Sequence, residues 1–291
     1  MKRVFLGLYF CCSLFATAQI THPKASPFAI VEQQLGLSNI RIEYSRPAVK
    51  GRHVFGPQDD GQKGLVPFGR IWRVGANEST KIHVDADMKI SGNTLPKGTY
   101  ALYAFPEAEY WEIAFHTNIG HWGDGRTAYD PAEDLFRIRL RPQRLSYHQE
   151  NFLISFDSIT HDAALLQLTW ASTRIEIPIE VDTQAMMEAE IADKLESLPS
   201  AQTYYEAARY LQEQGVATKR ALGYVDKALE LGGDTYYFHR VKSLLQADLK
   251  DFKGAIASAQ KSKTIAAELG KDEFVRMNEK NIRAWTNLLE D

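Results

Sequence analysis

The sequence predicts an α+β multidomain protein, in which an antiparallel β-sandwich of about ten strands is followed by an all-α, tetratricopeptide-like helical domain. Three observations lead to this prediction. Hydrophobic residues recur with period two from about residue 28 to 181, with a period near 3.6 after Val181, and as one short apolar run at the N-terminus. The predicted domains are a signal peptide over 1–18, a β-sandwich domain over 19–181 and a helical domain over 182–291.

The N-terminus has the order of features that is typical of a secretory signal peptide. Lys2 and Arg3 give a positive start, residues 4–15 are apolar, and residues 16–18 read Ala-Thr-Ala, the small-x-small pattern cut by signal peptidase. The apolar run is too short for a bilayer core, which needs ~20 residues. We therefore predict cleavage after Ala18 and a periplasmic or secreted mature protein.

Both cysteines of the chain lie in this segment, at Cys11 and Cys12. The alternatives are a retained anchor and a lipoprotein signal, of which the second requires small residues before the lipidated cysteine, where Tyr9 and Phe10 are bulky. Cleavage at Ala18 leaves a chain without cysteine, which excludes thiol nucleophiles, disulfides and cysteine-bound metals. No other apolar stretch approaches the ~20 residues of a membrane span, so none is expected.

The first half reads as short strands because side chains two apart share one face of a strand. Turn signals rich in Gly, Pro, Asn and Asp separate the runs, and no helical segment long enough for a crossover lies between them. The alternating runs are Trp111/Ile113/Phe115, Phe136/Ile138/Leu140, Phe152/Ile154/Phe156, Leu166/Leu168/Trp170 and Ile175/Ile177/Ile179/Val181.

The second half reads as six helices separated by Gly, Pro and Lys-Asp breaks. Ala221 and Ala255 lie at matching places about 34 residues apart, which is the tetratricopeptide period. The Trp and Gly of the first tetratricopeptide helix are missing, so a plain helical bundle is the alternative. The predicted helices cover about 184–197, 201–214, 217–231, 235–248, 252–269 and 272–289.

Composition and charge narrow the function classes. The chain is 44% hydrophobic and 24% charged, which is ordinary for a globular protein and excludes a disordered or collagen-like chain. Its formal net charge is −3, whereas dedicated nucleic-acid binders usually show a basic excess. We therefore expect no nucleic-acid partner.

The densest unusual stretch covers residues 44–80, where the period breaks and Arg, Asn, Glu and Trp crowd between strands. Such a mixture forms either a ligand site or a buried polar network that holds a long loop. In a site, arginines would bind carboxylates or phosphates, a tryptophan would offer an apolar platform, and Asn and Glu would orient the ligand. In a network, Glu78 would pair with the arginines. The candidate ligand-binding residues are Arg46, Arg52, Trp72, Arg73, Asn77 and Glu78.

This stretch resembles the bacterial family known as domain of unknown function 2911. Residues 72–80 (Trp-Arg-Val-Gly-Ala-Asn-Glu-Ser-Thr) are the most specific part of a resemblance that covers about 26–181, and residues 95–102 (Leu-Pro-Lys-Gly-Thr-Tyr-Ala-Leu) and Trp111 agree with it. The resemblance implies a secreted or periplasmic β-domain that is frequently followed by tetratricopeptide-like repeats. It implies no established activity, so it carries over no catalytic residue.

His116 and His121 lie five apart, with Asp124 just beyond. Nitrogen and oxygen donors of this kind can hold a metal, but the spacing is not a strong zinc spacing and no third ligand is evident. The family that the chain resembles more often has amides at both positions. We therefore expect exposed loop histidines here, with no metal site and no cofactor.

No catalytic residue can be assigned from the sequence. A Gly-x-Ser-x-Gly elbow, a glycine-rich phosphate loop and a dinucleotide fingerprint are all missing. Glu78 is the best single acid/base candidate, with Glu112, Asp124 or Asp130 as a partner for two-carboxylate chemistry, although each is as readily a surface acid.

A short basic stripe follows from alternation along one predicted strand. Arg137, Arg139 and Arg141 share its polar face, and Arg144 lies beyond. The stripe is either a site for an anionic glycan or acidic partner, or a solvated sheet face paired with acids on the next strand.

These observations predict a secreted or periplasmic protein that acts by binding or interaction rather than catalysis, on an unknown ligand. The partner is either a protein held by the helical domain or a small ligand or glycan held at the β-domain. The alternative is an envelope or extracellular hydrolase acting on carbohydrate, with Glu78 as general acid or base. A third hypothesis is a scaffold that acts through the helical tail alone.

Overall fold

The computed structural model of the protein describes residues 22–57, 61, 63–121 and 128–290. The predicted signal peptide over 1–18 and Asp124 lie outside the described residues. The chain divides into two compact units, one ending at Asp182 and the other beginning at Thr183. In the described part of the chain, no helix combines the length and the apolar character needed to cross a membrane.

The first unit contains two antiparallel sheets, which confirms the predicted β-sandwich. The six-stranded sheet has the order β1-β2-β3-β6-β7-β8 and the four-stranded sheet has the order β5-β4-β10-β9. A short 3-10 helix, Pro131–Glu133, precedes β8. The strands are β1 Phe28–Leu35, β2 Ser38–Ser45, β3 Thr80–Val84, β4 Met88–Ile90, β5 Asn93–Leu95, β6 Gly98–Pro106, β7 Trp111–His116, β8 Asp134–Leu140, β9 Gln143–Asp157 and β10 Ala163–Glu180.

Aromatic side chains from both sheets meet in the core of the sandwich. Trp111 comes from β7, Phe152 from β9 and Trp170 from β10, and each is 3% exposed or less. Phe55 and Trp72, from the segment between β2 and β3, complete this aromatic cluster, with ring centroids 4.7–6.0 Å apart. Offset and edge-to-face contacts at these distances stabilise a core beyond simple area burial. The alternation seen in the sequence therefore supplies the inward faces that form this core.

The long β2–β3 connection, residues 46–79, is held to β6 of the six-stranded sheet by backbone hydrogen bonds, with Gly69 N–H donating to Pro106 O at 3.0 Å and a two-bond bridge at Trp72. Trp72 N–H donates to Ala104 O and Ala104 N–H donates to Trp72 O, both at 2.8 Å. This bridge extends the line of β3 alongside β6, because Thr80 pairs with Leu102 two residues earlier on β6. The connection is therefore anchored in its middle rather than only at its ends.

The second unit consists of six α-helices close to the predicted positions. Ser200, Thr235 and Asp251 cap the N-termini of the second, fourth and fifth helices, each by accepting a backbone N–H. Ala221 and Ala255, which carry the internal repeat, are fully buried, on the third and fifth helices. The tetratricopeptide-like assignment itself stays a prediction. The helices are α1 Thr183–Ser197, α2 Ala201–Gln214, α3 Thr218–Glu230, α4 Tyr236–Asp248, α5 Phe252–Glu268 and α6 Asp272–Glu290.

His239 on α4 gives the helical unit a pH-dependent stability. Its imidazole is 6% exposed, and Nε2 lies 2.6 Å from Asp234 Oδ1. Burial lowers the pKa of His239, although Asp234 opposes the shift, and Lys261 Nζ lies 2.9 Å from the same carboxylate oxygen. An unfolded histidine titrates near pH ~6.5, so the unfolded chain binds the extra proton first as the pH falls. Stability is therefore lost as the pH falls through this range.

When the pH is lowered from about 7.5 to about 5.5, we expect the midpoint temperature of thermal unfolding, followed by the helical circular-dichroism signal, to decrease. The decrease should be smaller in His239→Gln, because this variant has no titrating group at position 239. The comparison of the two proteins removes the contribution of every other histidine. A wild-type midpoint that rises on acidification relative to His239→Gln would show that the charged His239–Asp234 pair outweighs the cost of burial.

Candidate functional site

The structure divides the six predicted ligand-binding residues among three places. Arg52, Trp72 and Arg73 line one recess. Asn77 and Glu78 lie at a separate small depression, and the Arg46 guanidinium donates to the backbone of β9. Only three of the six residues are therefore brought together.

The recess has a volume of about 510 Å³ and is formed mainly by the β2–β3 connection, with Ala25 and Ser26 on one side and Trp170 beneath. Four of the residues on its described lining are cationic and none is acidic. We call it the cationic recess. Its cations are Lys50, Arg52, Arg70 and Arg73.

Backbone groups hold the cationic rim in place. Arg52 donates from Nε to Val49 O at 2.9 Å and from a terminal nitrogen to Ala48 O at 2.7 Å, so neutral carbonyls fix the guanidinium and its charge is not cancelled by them. Lys50 adopts φ 50° and donates its backbone N–H to Glu150 at 2.8 Å. That hydrogen bond is the main reason why the pKa of Glu150 is lowered. The rim is thus shaped by local backbone contacts, while Arg70 is solvent-exposed.

Trp72 forms the floor of the recess rather than an open platform. Its side chain belongs to the aromatic cluster, the residue is 7% exposed, and its Nε1–H donates to Gly75 O at 3.1 Å. The sequence expected this tryptophan to offer a face to a ligand. The indole ring packs in the aromatic cluster instead, because the backbone bridge to Ala104 directs the Trp72 side chain into the core.

Arg46 and Asn77 form part of a polar network that holds the β2–β3 connection, which is the structural alternative to a ligand site. Arg46 donates from Nε to Phe152 O at 2.9 Å, which joins the end of β2 to β9. Asn77 has φ 62° and donates to Ser26 O at 3.2 Å and Ser45 Oγ at 3.0 Å. Both side chains are therefore occupied in holding the β2–β3 connection.

Glu78 is not joined to a second carboxylate by any contact that the structure describes. Its side chain is 57% exposed and forms an ion pair with Lys81 at 3.0 Å. Glu112 instead lies 3.4 Å from Arg137, and Asp130 caps the 3-10 helix by accepting from Ala132 N–H. Asp124 lies outside the described residues. The structure thus does not pair Glu78 with either of its described predicted partners, Glu112 and Asp130.

A second polar cluster lies on the outer face of the six-stranded sheet, and the sequence did not predict it. His116, His121 and Glu133 place their side-chain nitrogen and oxygen atoms within 4.8 Å of one another. We call this the histidine cluster. His116 is fully buried, which corrects the expectation of an exposed loop histidine. The residue ends β7 on its outward side, and Tyr103 and Tyr129 cover it with ring centroids at 5.4 and 4.8 Å.

Asp134 organises the polar groups beside this cluster. It accepts from Tyr129 Oη at 2.5 and 2.6 Å, and from Arg137 Nε at 2.7 Å. Burial and the Asp134 carboxylate together raise the pKa of Tyr129, so the phenol stays protonated and donates. Arg137 of the predicted basic stripe is therefore engaged here, and Arg139 lies over the Tyr110 ring at 3.2 Å.

The helical unit has its own cavity of about 570 Å³ between α2, α4 and α6. Four aromatic side chains and two arginines contribute to its lining. They are Tyr205, Tyr236, Tyr237, Phe274, Arg209 and Arg240.

The family model described as Protein of unknown function (DUF2911) matches residues 26–179. The chain belongs to this family. The DUF2911 match confirms the resemblance found in the sequence, and it covers the β-sandwich with both the cationic recess and the histidine cluster. No curated protein matches the chain. The DUF2911 description assigns no activity, so function must be argued from the geometry of these sites.

Two neighbouring residues of the β2–β3 connection, Asn77 and Glu78, should contribute to stability to different extents. Asn77→Ala removes two hydrogen bonds and places alanine at positive φ, so we expect unfolding to become easier by about 1–3 kcal/mol. Glu78→Ala removes only an exposed ion pair, and its cost should be below about 1 kcal/mol. Chemical denaturation of the two variants measures both values. Equal losses of stability in the two variants would contradict a structural role for Asn77 that Glu78 does not share.

Proposed function

We propose that the β-sandwich unit is a binding module for a small anionic molecule, and that the protein acts by binding rather than catalysis. The observation that carries this proposal is that four of the residues that line the described part of the recess are cationic and none is acidic. The whole chain has a net charge of −3, so an excess of basic residues does not explain this group of cations. Cations gathered in a concave surface raise the local concentration of an anion.

The chemistry of the lining favours a carboxylate or phosphate. Arginine forks bind both groups through paired N–H donors, and a lysine adds a point charge. A volume of about 510 Å³ lies in the usual range for small-molecule sites, about 300–1,000 Å³, and suits a ligand of disaccharide size. An acidic disaccharide and a sugar phosphate share this chemistry, and the experiment below distinguishes them.

Calorimetric titration with digalacturonate, glucose 6-phosphate and neutral cellobiose tests the proposal. At least one anionic probe should bind, cellobiose should not, and added salt should weaken binding because the contacts are electrostatic. Arg70→Ala should weaken binding about tenfold or more, since a hydrogen bond to a charged group contributes about 1.5–3 kcal/mol. Arg70 is exposed, so the variant should keep the fold of the parent protein.

Arg141→Ala is the matched control, because Arg141 is also an exposed arginine and does not line the recess. Cellobiose binding as tight as that of the anions would contradict the proposal, as would equal affinity in Arg70→Ala and the parent protein. Turnover of digalacturonate would replace it with the hydrolase alternative.

The proposed location is the periplasm or the medium, after removal of residues 1–18. The charged start, the apolar run and the small-x-small pattern support it. Mass spectrometry of the protein from its own host should find a mature chain that begins at Gln19. Arg substitutions at Ala16 and Ala18 should leave the uncleaved precursor. A mature chain that begins at a lipid-modified Cys11 or Cys12 would support the lipoprotein alternative.

The helical unit is proposed to hold a protein partner. Its cavity between α2, α4 and α6 supports this role, because aromatic and arginine side chains are the residue types that contribute most to protein interfaces.

A further inference from the structure

The histidine cluster brings together three side chains from separate parts of the fold. His116 ends β7, His121 follows in the next loop, and Glu133 ends the 3-10 helix before β8. All three lie on the outer side of the six-stranded sheet, because Trp111, Ile113 and Phe115 of β7 face the sandwich core. The cluster is therefore independent of the cationic recess and of the function proposed for it.

The donor atoms converge on one oxygen. Glu133 Oε2 lies 3.3 Å from His116 Nε2 and 4.0 Å from His121 Nε2. Ligand atoms around tetrahedral zinc lie about 3.3 Å apart when each bond is about 2.0–2.1 Å long. The His116–Glu133 separation already matches this value, whereas the His121–Glu133 separation is longer and all three donor atoms lie within 4.8 Å of one another, so metal binding requires His121 to move inward.

Both imidazoles are oriented through their other nitrogen. His116 Nδ1 lies 2.9 Å from Asp134 Oδ1, and His121 Nδ1 lies 3.3 Å from Tyr103 Oη. A carboxylate that accepts from Nδ1–H fixes the tautomer and leaves the lone pair of Nε2 for a metal, which is the arrangement usual around metal-bound histidines. Asn118 Nδ2 steadies the third donor by lying 3.2 Å from each Glu133 oxygen.

The His116 side chain supplies an independent indication. The residue is fully buried, and its Nε2 makes no hydrogen bond in the described structure even though Glu133 is near. Buried polar atoms without a hydrogen bond are rare and costly in folded proteins. A cation between Nε2 and Glu133 would satisfy this atom.

We propose that His116, His121 and Glu133 bind one divalent transition-metal ion, with zinc the best match. Two imidazoles and one carboxylate suit zinc among the divalent ions, and three protein ligands leave the fourth position of a tetrahedral ion open to water or to a ligand. The sequence predicted no metal here, because it offered no third ligand and indicated exposed histidines. Glu133 supplies that ligand, and the cover over β7 buries His116.

Zinc titration of the chelator-treated full chain, in competition with a chromophoric chelator, tests this site. We expect one ion per chain. His121→Gln and Glu133→Gln should each lower the affinity at least tenfold, since each removes one of three ligands. These positions are used because both side chains are partly exposed, whereas a change at His116 enters the buried cluster. Circular dichroism of each variant confirms that it is folded.

His148→Gln is the matched control. His148 Nε2 lies 3.2 Å from Glu150 Oε2, and among the described residues this exposed pair has no third histidine or carboxylate donor close enough to share a metal ion. Its affinity for zinc should equal that of the parent protein. The cobalt-substituted protein adds a readout of geometry, because the visible spectrum of Co²⁺ distinguishes four-coordinate from six-coordinate ions.

Three results would overturn the proposal. The first is no zinc binding above the level seen in the His121→Gln, Glu133→Gln double variant, which would leave the cluster as a histidine–carboxylate ion pair only. The second is an equal loss of affinity in His148→Gln. The third is a six-coordinate cobalt spectrum that the substitutions at His121 and Glu133 do not alter.

Discussion

The backbone bridge between Trp72 and Ala104 holds the β2–β3 connection to the six-stranded sheet, through two hydrogen bonds of 2.8 Å. Side chains alternate along an extended segment, so the bridge directs Trp72 into the aromatic cluster and its neighbours to the other side. There Ile71 packs against the buried cluster of Ala101, Tyr103 and Ala114, and burial raises the pKa of the Tyr103 phenol while the charge of Arg73 opposes that shift. Tyr103 in turn contacts His121. The bridge therefore helps to position both the cationic recess and part of the wall around the histidine cluster.

The two proposed sites gather opposite charges on the same sandwich. The recess gathers cationic residues, and backbone carbonyls fix the guanidinium of one of them, Arg52. The histidine cluster gathers carboxylates and imidazoles, and Arg137 offsets part of the negative charge by pairing with Asp134. Like charges held close together lower stability, and the aromatic core and the sheet must compensate for that cost. Such groupings are typical of sites rather than of surfaces selected only for stability.

Regular elements were predictable because their buried faces repeat in the sequence, with period two in strands and about 3.6 in helices. The β2–β3 connection has no period, so its polar residues could only be grouped as one candidate site. The fold separates them, since Arg46 donates to β9 and Asn77 donates to Ser26, and both partners are remote in sequence. The outward position of His116 follows from strand alternation. Its burial beneath Tyr129 and its meeting with Glu133 depend on the loop conformation, which no local pattern encodes.

The same frame determines which substitutions can report on function. A change at Trp72 disturbs the aromatic cluster together with any ligand in the recess, because its ring packs against Trp111 and Phe152. An exposed side chain such as that of Arg70 belongs to neither the bridge nor the aromatic cluster. Binding can then change while the free energy of unfolding does not, which is the behaviour expected when a rigid scaffold presents functional groups from its loops. In this unit, substitutions at the rim of the recess can therefore test the proposed binding without a loss of stability, whereas substitutions at its floor cannot.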